Sequence, residues 1–294
     1  MGVSRLGYIG LAVHELEMVK TIFTKVLGME LREASDDGAV SLRMDGRQQR
    51  ITLLPAKEDR LAYVGWEVDT RQALMEVVEN VKLTGVSVTV GNEAEKAKRG
   101  VLELYHFAGP DGVQTELYFG GAVDGEPFKS PRAHSGFLTG DQGLGHILLG
   151  ASDPEAAHRF YGEVLGFSVS DYIYWNGCEA TFMHCNSRHH SLAVMNPSFG
   201  TEAGALNHVM VEANDIDDIG RAYDILRDLQ IPVVLTLGKH SNDFMTSFYI
   251  QTPGGWAIEY GFGAREIDDQ WVVKYYTSPR LWGHHLVAPP APPQ

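Results

Sequence analysis

Gly145-His146-Ile147-Leu148-Leu149 is a short apolar run interrupted by one imidazole. Two further runs share its build: Asn207-His208-Val209-Met210-Val211 and Trp256-Ala257-Ile258-Glu259-Tyr260. Runs of this length and composition read as buried strands. Each presents one metal-ligand type from a rigid element: His146, His208 or Glu259. A lone histidine in an apolar strand is ordinarily a satisfied core residue. That reading fails for the three together, because a buried, unpaired Glu259 beside Ile258 would be strongly destabilising. A divalent cation removes the penalty. Two imidazoles and one carboxylate with open positions form the facial set associated with non-haem Fe(II) and dioxygen.

The same runs have copies earlier in the chain. Leu144-Gly145-His146 aligns with Leu6-Gly7-Tyr8, and Val164-Leu165-Gly166 aligns with Val26-Leu27-Gly28 at the same offset. His208-Val209 aligns with Tyr63-Val64, and Pro253-Gly254-Gly255 and Glu259 align with Pro110-Asp111-Gly112 and Glu116. Only the carboxylate survives in both copies. Of the 12 histidines, only His14 and His106 precede residue 130. The metal site is therefore expected in the second half alone.

Each half divides again. An apolar strand at Leu6–Val13 is followed by Leu16, Val19, Ile22, Phe23, Val26 and Leu27 at helical spacing, closed by Gly28. Strands are expected at Met29–Arg32, Val40–Met44 and Arg50–Leu54. The pattern restarts at Leu61–Val68, with a helix over Arg71–Leu83 capped by Thr70 and strands at Val86–Val90, Val101–Phe107 and Val113–Phe119. A third unit has Asp153 and Pro154 opening a helix to Gly166, and a fourth has a helix from about Asp215 to Leu229. The expected fold is α+β: tandem βαβββ modules forming two similar domains. Residues 1–120 are the metal-free domain, 121–143 a Gly-, Pro- and Ser-rich linker, 144–280 the metal-bearing domain and 281–294 a tail, expected extended or disordered at Ala288–Gln294.

Lys and Arg number 24 against 38 Asp and Glu, a net charge of −14, and no basic run occurs; this argues against a nucleic-acid partner. No apolar run has the length of a membrane span. Met1-Gly2-Val3-Ser4-Arg5 leads into Leu6 with no signal-peptide core, and Cys178 and Cys185 form no CxxC pair. A cytoplasmic location with free thiols is expected.

Longer stretches carry a resemblance. They are Phe137-Leu138-Thr139-Gly140-Asp141-Gln142-Gly143-Leu144-Gly145-His146, His184-Cys185-Asn186-Ser187-Arg188-His189-His190-Ser191-Leu192-Ala193 and Gly238-Lys239-His240-Ser241-Asn242-Asp243. Ser247-Phe248-Tyr249 and Glu259-Tyr260-Gly261 complete the set. The chain resembles the type I extradiol catechol dioxygenases of the vicinal oxygen chelate superfamily, in the two-domain branch typified by 2,3-dihydroxybiphenyl 1,2-dioxygenase. The likeness runs from Leu6 to His284.

The resemblance implies Fe(II) as cofactor, with Mn(II) suited to the same donors, and ring cleavage of a bicyclic or substituted catechol by O2. It implies a homo-oligomer and no nucleic-acid or membrane partner. Adjacent strand residues face opposite ways, so one of His189 and His190 is expected at the metal; the resemblance selects His190 as the acid–base group and leaves His189 behind it or exposed. His240 and Tyr249 resemble the pair that holds the substrate oxygens, and Asp243 is expected at the substrate pocket, either orienting His240 or in a plain turn role. Leu148, Trp175, Phe182 and Pro279 are expected in the apolar wall. Three alternatives share the scaffold: a glyoxalase-like metal-dependent lyase or isomerase, a non-catalytic protein that binds an aromatic ligand, and an Fe(II) oxygenase acting on a keto acid.

Overall fold

The computed structural model describes residues 2–32 and 37–287. The tail stretch Ala288–Gln294 lies outside them. Two sheets dominate. The first takes β1 (Arg5–Val13), β2 (Glu30–Leu31), β3 (Val40–Arg43), β4 (Ile51–Pro55), β5 (Arg60–Glu67), β6 (Thr89–Val90), β7 (Glu103–Ala108) and β8 (Gln114–Phe119). Their order is β2-β3-β4-β1-β5-β8-β7-β6. The second takes β9 (His146–Gly150), β10 (Ser168–Trp175), β11 (Cys178–His184), β12 (Leu192–Met195), β13 (Leu206–Glu212), β14 (Val233–His240), β15 (Thr246–Gln251), β16 (Ala257–Phe262), β17 (Lys274–Tyr276) and β18 (Arg280–Trp282). It repeats the same order, with β17 and β18 added at its two ends.

In each sheet two βαβββ modules meet through their first strands. β1 pairs antiparallel with β5, and β9 with β13. Each first strand also pairs parallel with the last of its own module: β1 with β4, β5 with β8, β9 with β12 and β13 with β16. Parallel pairing needs a crossover. Four helices supply it: α1 (Leu16–Thr21, continuing as a π turn over Ile22–Val26), α2 (Arg71–Leu83), α4 (Pro154–Arg159, continuing as a π turn over Phe160–Val164) and α5 (Ile216–Asp228). The side chains of Thr70 and Asp153 accept the N–H groups of Ala73 and Ala156, as N-caps do.

A further helix, α3 (Glu93–Arg99), falls where no element is expected from periodicity, because none of its residues is buried. Asn92 and Glu95 form a reciprocal capping box, and Gly100 ends the helix in the left-handed conformation. The strand expected over Val86–Val90 shrinks to Thr89–Val90. Residues 281 and 282, expected in the tail, sit in β18 on the edge of β14. No described helix is long and apolar enough to cross a membrane.

Strand alternation sorts the side chains into two cores. Ile147 and Leu149, Leu192 and Val194, Val209 and Val211, and Ile258 and Tyr260 face the helices. There one continuous core joins both halves, with Trp66 meeting Phe167 edge-on at 4.9 Å between ring centres. The alternate residues point to the other face of the sheet. In the second half these include His146, Leu148, Ala193, Met195, His208 and Glu259.

Candidate metal centre

β13 lies between β9 and β16, so its neighbours in register set the site. Met210 is paired with His146 on one side and Glu259 on the other, and Glu259 is paired in turn with Tyr249 of β15. Four side chains thus stand in one row across four strands, and His208 stands one step along. Gly145 permits this approach. Its φ is +150° and a Cβ there would lie 2.0 Å from the Met210 carbonyl oxygen, so the chain entering His146 must be glycine.

The row brings three donors together. His146 Nε2 lies 3.1 Å from His208 Nε2 and 3.2 Å from Glu259 Oε2, and His208 Nε2 lies 3.4 Å from Glu259 Oε2. All three residues are buried. Donors about 2.1 Å from a first-row divalent cation lie about 3.0–3.4 Å from one another, so this triangle fits such an ion. The His208 Nδ1–H donates to Asn207 Oδ1 over 2.8 Å, which leaves the Nε2 lone pair free to coordinate. His146 Nδ1 has no such partner among the described residues; its ring packs against that of His190, tilted by 31° with 3.8 Å between centres.

Burial pushes His208 down to about 3, in spite of Glu259 beside it. Burial works to raise the Glu259 carboxyl, but hydrogen bonds with His146 and His240 prevail and hold it well below the usual carboxylate range. Neutral imidazole and ionised carboxylate are the forms that bind a cation.

Around the triangle stand three polar groups. His240 donates Nδ1–H to the Pro279 carbonyl at 2.8 Å, and its Nε2 lies 2.8 Å from the Tyr249 hydroxyl and 3.1 Å from Glu259 Oε1. Burial alone would lower His240, but the Glu259 hydrogen bond raises it to about 9. Tyr249 is pushed well above its ordinary value by burial and by the Glu259 charge. His190 is driven well below its ordinary value by burial and by the neighbouring His146 and His189.

One expectation needs correcting, and one open choice is decided. His189 and His190 lie in a bend between β11 and β12, not in a strand, so alternation does not separate them. Both are buried, with their Nδ1 atoms 3.0 Å apart. Asp243 takes the turn role and not that of orienting His240, whose Nδ1 is taken by Pro279. Its Oδ1 instead accepts the Met245 N–H at 3.0 Å, and its Oδ2 lies 3.9 Å from His190 Nδ1.

Leu148 and Phe182 fall in one apolar cluster with Ile173, Cys178, Ala180, Ala193 and Met195, with Trp175 packed against it. Phe182 meets the His190 ring edge-on at 4.9 Å. Pro279 is outside this cluster and contributes a carbonyl. His284, not expected at the site, is buried beside His240 at 4.3 Å between ring centres, and its Nε2 lies 3.2 Å from Ser247 Oγ. That hydroxyl donates to Glu259 Oε1 at 2.6 Å. Its signal in the sequence was a histidine pair, His284-His285, near the end of the resembling stretch.

The comparisons with known proteins agree with this geometry. Residues 143–260 match the Glyoxalase/Bleomycin resistance protein/Dioxygenase superfamily, and residues 6–55 match the family described as Dihydroxybiphenyl dioxygenase BphC D1. The chain is 43% identical to the 3-methylcatechol 2,3-dioxygenase of Pseudomonas putida, over 98% of this chain and all of that one. It belongs to the extradiol dioxygenases of the vicinal oxygen chelate superfamily. It is also 36% identical to an iron-dependent extradiol dioxygenase of Rhodococcus jostii, over 97% of each chain. A crystal structure of BphC, a halotolerant catechol dioxygenase, superimposes with a TM-score of 0.94 at 36% identity, covering 99% of this chain and 97% of that one. As an extradiol dioxygenase the chain is an oxidoreductase that opens catechol rings with O2, and its cofactor is iron.

Proposed function

We propose that His146 Nε2, His208 Nε2 and Glu259 hold Fe(II), and that the enzyme cleaves a substituted or bicyclic catechol beside its diol, inserting both atoms of O2. The observation that carries this reading is the buried donor triangle with His190, His240 and Tyr249 grouped around it. That group supports ring cleavage over the lyase reading, and the complete donor set argues against a metal-free binding protein. Mn(II) suits the same donors. Bound there, the cation supplies open positions for the catechol oxygens and O2 and a path for electrons between them.

The chain does the rest. His190 Nε2 makes no hydrogen bond among the described residues, and His190 is neutral near pH 7. It takes the proton of a catechol hydroxyl, the electron pair staying on oxygen, and later returns it. His240, with Nδ1 fixed by Pro279, and Tyr249 donate to a substrate oxygen and hold the ring in place. Leu148, Ile173, Phe182 and Met195 form the apolar wall that receives the ring substituent and excludes water. A substituted or bicyclic ring is supported by the name of one relative, which contains 3-methylcatechol, and by the family description that contains dihydroxybiphenyl. We assign the enzyme to the cytoplasm and to a homo-oligomer; Tyr275, Leu281, Trp282 and Leu286 expose apolar side chains for such a contact.

Anaerobic reconstitution with Fe(II), followed by 2,3-dihydroxybiphenyl and air, tests this directly. A yellow product with matched O2 uptake is expected. Bound iron with no uptake across a small catechol panel would contradict it.

A further inference from the structure

Asp171 and His189 stand behind His190 in an arrangement the reaction above does not use. β10 bulges between Val169 and Asp171 where it pairs with β11, and a bulge re-aims side chains. Ser170 and Asp171, both fully buried, then face the same residue. The Ser170 hydroxyl donates to the His189 carbonyl, and Asp171 Oδ2 lies 2.9 Å from His189 Nε2. Asp171 Oδ1 accepts the Lys274 backbone N–H at 2.8 Å. Trp271 meets the His189 ring edge-on at 5.1 Å and donates its indole N–H to the Ser170 carbonyl at 2.9 Å. The His189 ring is fixed on both sides.

The geometry points to Asp171 and His189 as positioning residues that fix which nitrogen of His190 is the base. This rests on the acid–base reading of His190 given above. A carboxylate only accepts, so His189 has a proton on Nε2, and in the neutral ring the lone pair is then on Nδ1. That lone pair faces His190 Nδ1 at 3.0 Å. His190 therefore carries its proton on Nδ1, and its lone pair is on Nε2. Asp243 Oδ2, at 3.9 Å, is too far from the same nitrogen to take over the role. When Nε2 accepts the catechol proton, Nδ1–H keeps donating into the chain that ends on Asp171, and no second proton moves.

Asp171→Asn reverses the chain. The Lys274 N–H retains the amide oxygen, so the NH2 faces His189 Nε2. The His189 proton moves to Nδ1, and the His190 proton moves to Nε2, where the base should be. The kcat is expected to fall about 100-fold or more with KM, iron content and thermal midpoint unchanged. His189→Gln keeps the original polarity, since its oxygen accepts from His190 and its NH2 donates to Asp171. It should recover most of the kcat that His189→Leu loses. A wild-type kcat in Asp171→Asn, or a His189→Gln as slow as His189→Leu, overturns the inference. Should Asp171→Asn fail to fold, the His189 pair decides alone. His190→Gln separates the two levels. A wild-type kcat there removes the acid–base reading and the inference with it, whereas a slow His190→Gln beside a fast Asp171→Asn removes only the inference.

Discussion

The two halves present the same carboxylate in the same strand and neutralise it differently. In the second half Glu259 meets His146, His208 and His240. In the first half Glu116 accepts the Tyr8 hydroxyl at 2.7 Å and two hydrogen bonds from Arg99, each 2.8 Å. The Arg99 guanidinium also lies 3.5 Å above the Tyr63 ring. Arg99 ends α3, in the β6–β7 connection; His240 ends β14 and opens the β14–β15 connection, which holds the corresponding place. One half brings a fixed cation of its own to the carboxylate, and the other leaves room for an iron. Space follows the same logic. A Cβ at Gly65 would lie 2.2 Å from the Tyr8 ring, and one at Gly10 would lie 2.2 Å from the Tyr63 ring. The matching positions in the second half hold Met210 and Leu148, which smaller imidazoles tolerate. The lesson is that a half without a metal site needs more than absent ligands: the buried charge must be met, and larger rings need glycines opposite them.

The comparison breaks first at Arg99. Arg99→Ala leaves Glu116 buried with one hydrogen bond, and the protein should lose about 3 kcal/mol of stability. Arg99→Met combined with Glu116→Met should lose less than Arg99→Ala, because no charge is stranded. Urea melts measure both. Iron content and kcat per folded chain should not change in either; a loss of iron in Arg99→Ala would mean that the halves are not separate in function.

A smaller effect concerns acid. His208 sits at about 3 in the folded, metal-free chain, below its unfolded value. Between these values the unfolded chain binds the extra proton, so stability falls as pH falls from about 6.5. By pH 5 this amounts to about 2 kcal/mol from His208. His134 and His284, both held down to about 4 chiefly by burial, act in the same direction, while His240, raised to about 9, acts in the opposite direction and offsets part of the loss. All four lie outside the first sheet. Melts of the metal-free protein at pH 7.5 and pH 5 should show this loss, and a pH-independent midpoint would contradict it.

Much of this was legible in the sequence because repetition and alternation are strong signals. The offsets linking Tyr8 to His146 and Glu116 to Glu259 exposed the repeat, and the apolar runs exposed the three strands that carry the donors. What escaped lacks periodicity. α3 buries nothing, and only its Asn92–Glu95 capping box and Gly100 mark it. β17 and β18 are three residues each and mostly exposed. The tie between Asp171 and His189 depends on a bulge, and that between Pro279 and His240 on a backbone carbonyl; neither has a residue-type signature.

Iron stoichiometry in Glu116→Gln and Glu259→Gln, each reconstituted anaerobically beside the wild type, tests the central claim most directly. One iron per chain is expected in the wild type and in Glu116→Gln, and none retained in Glu259→Gln. Iron kept by Glu259→Gln, or lost by Glu116→Gln in a folded chain, would contradict it.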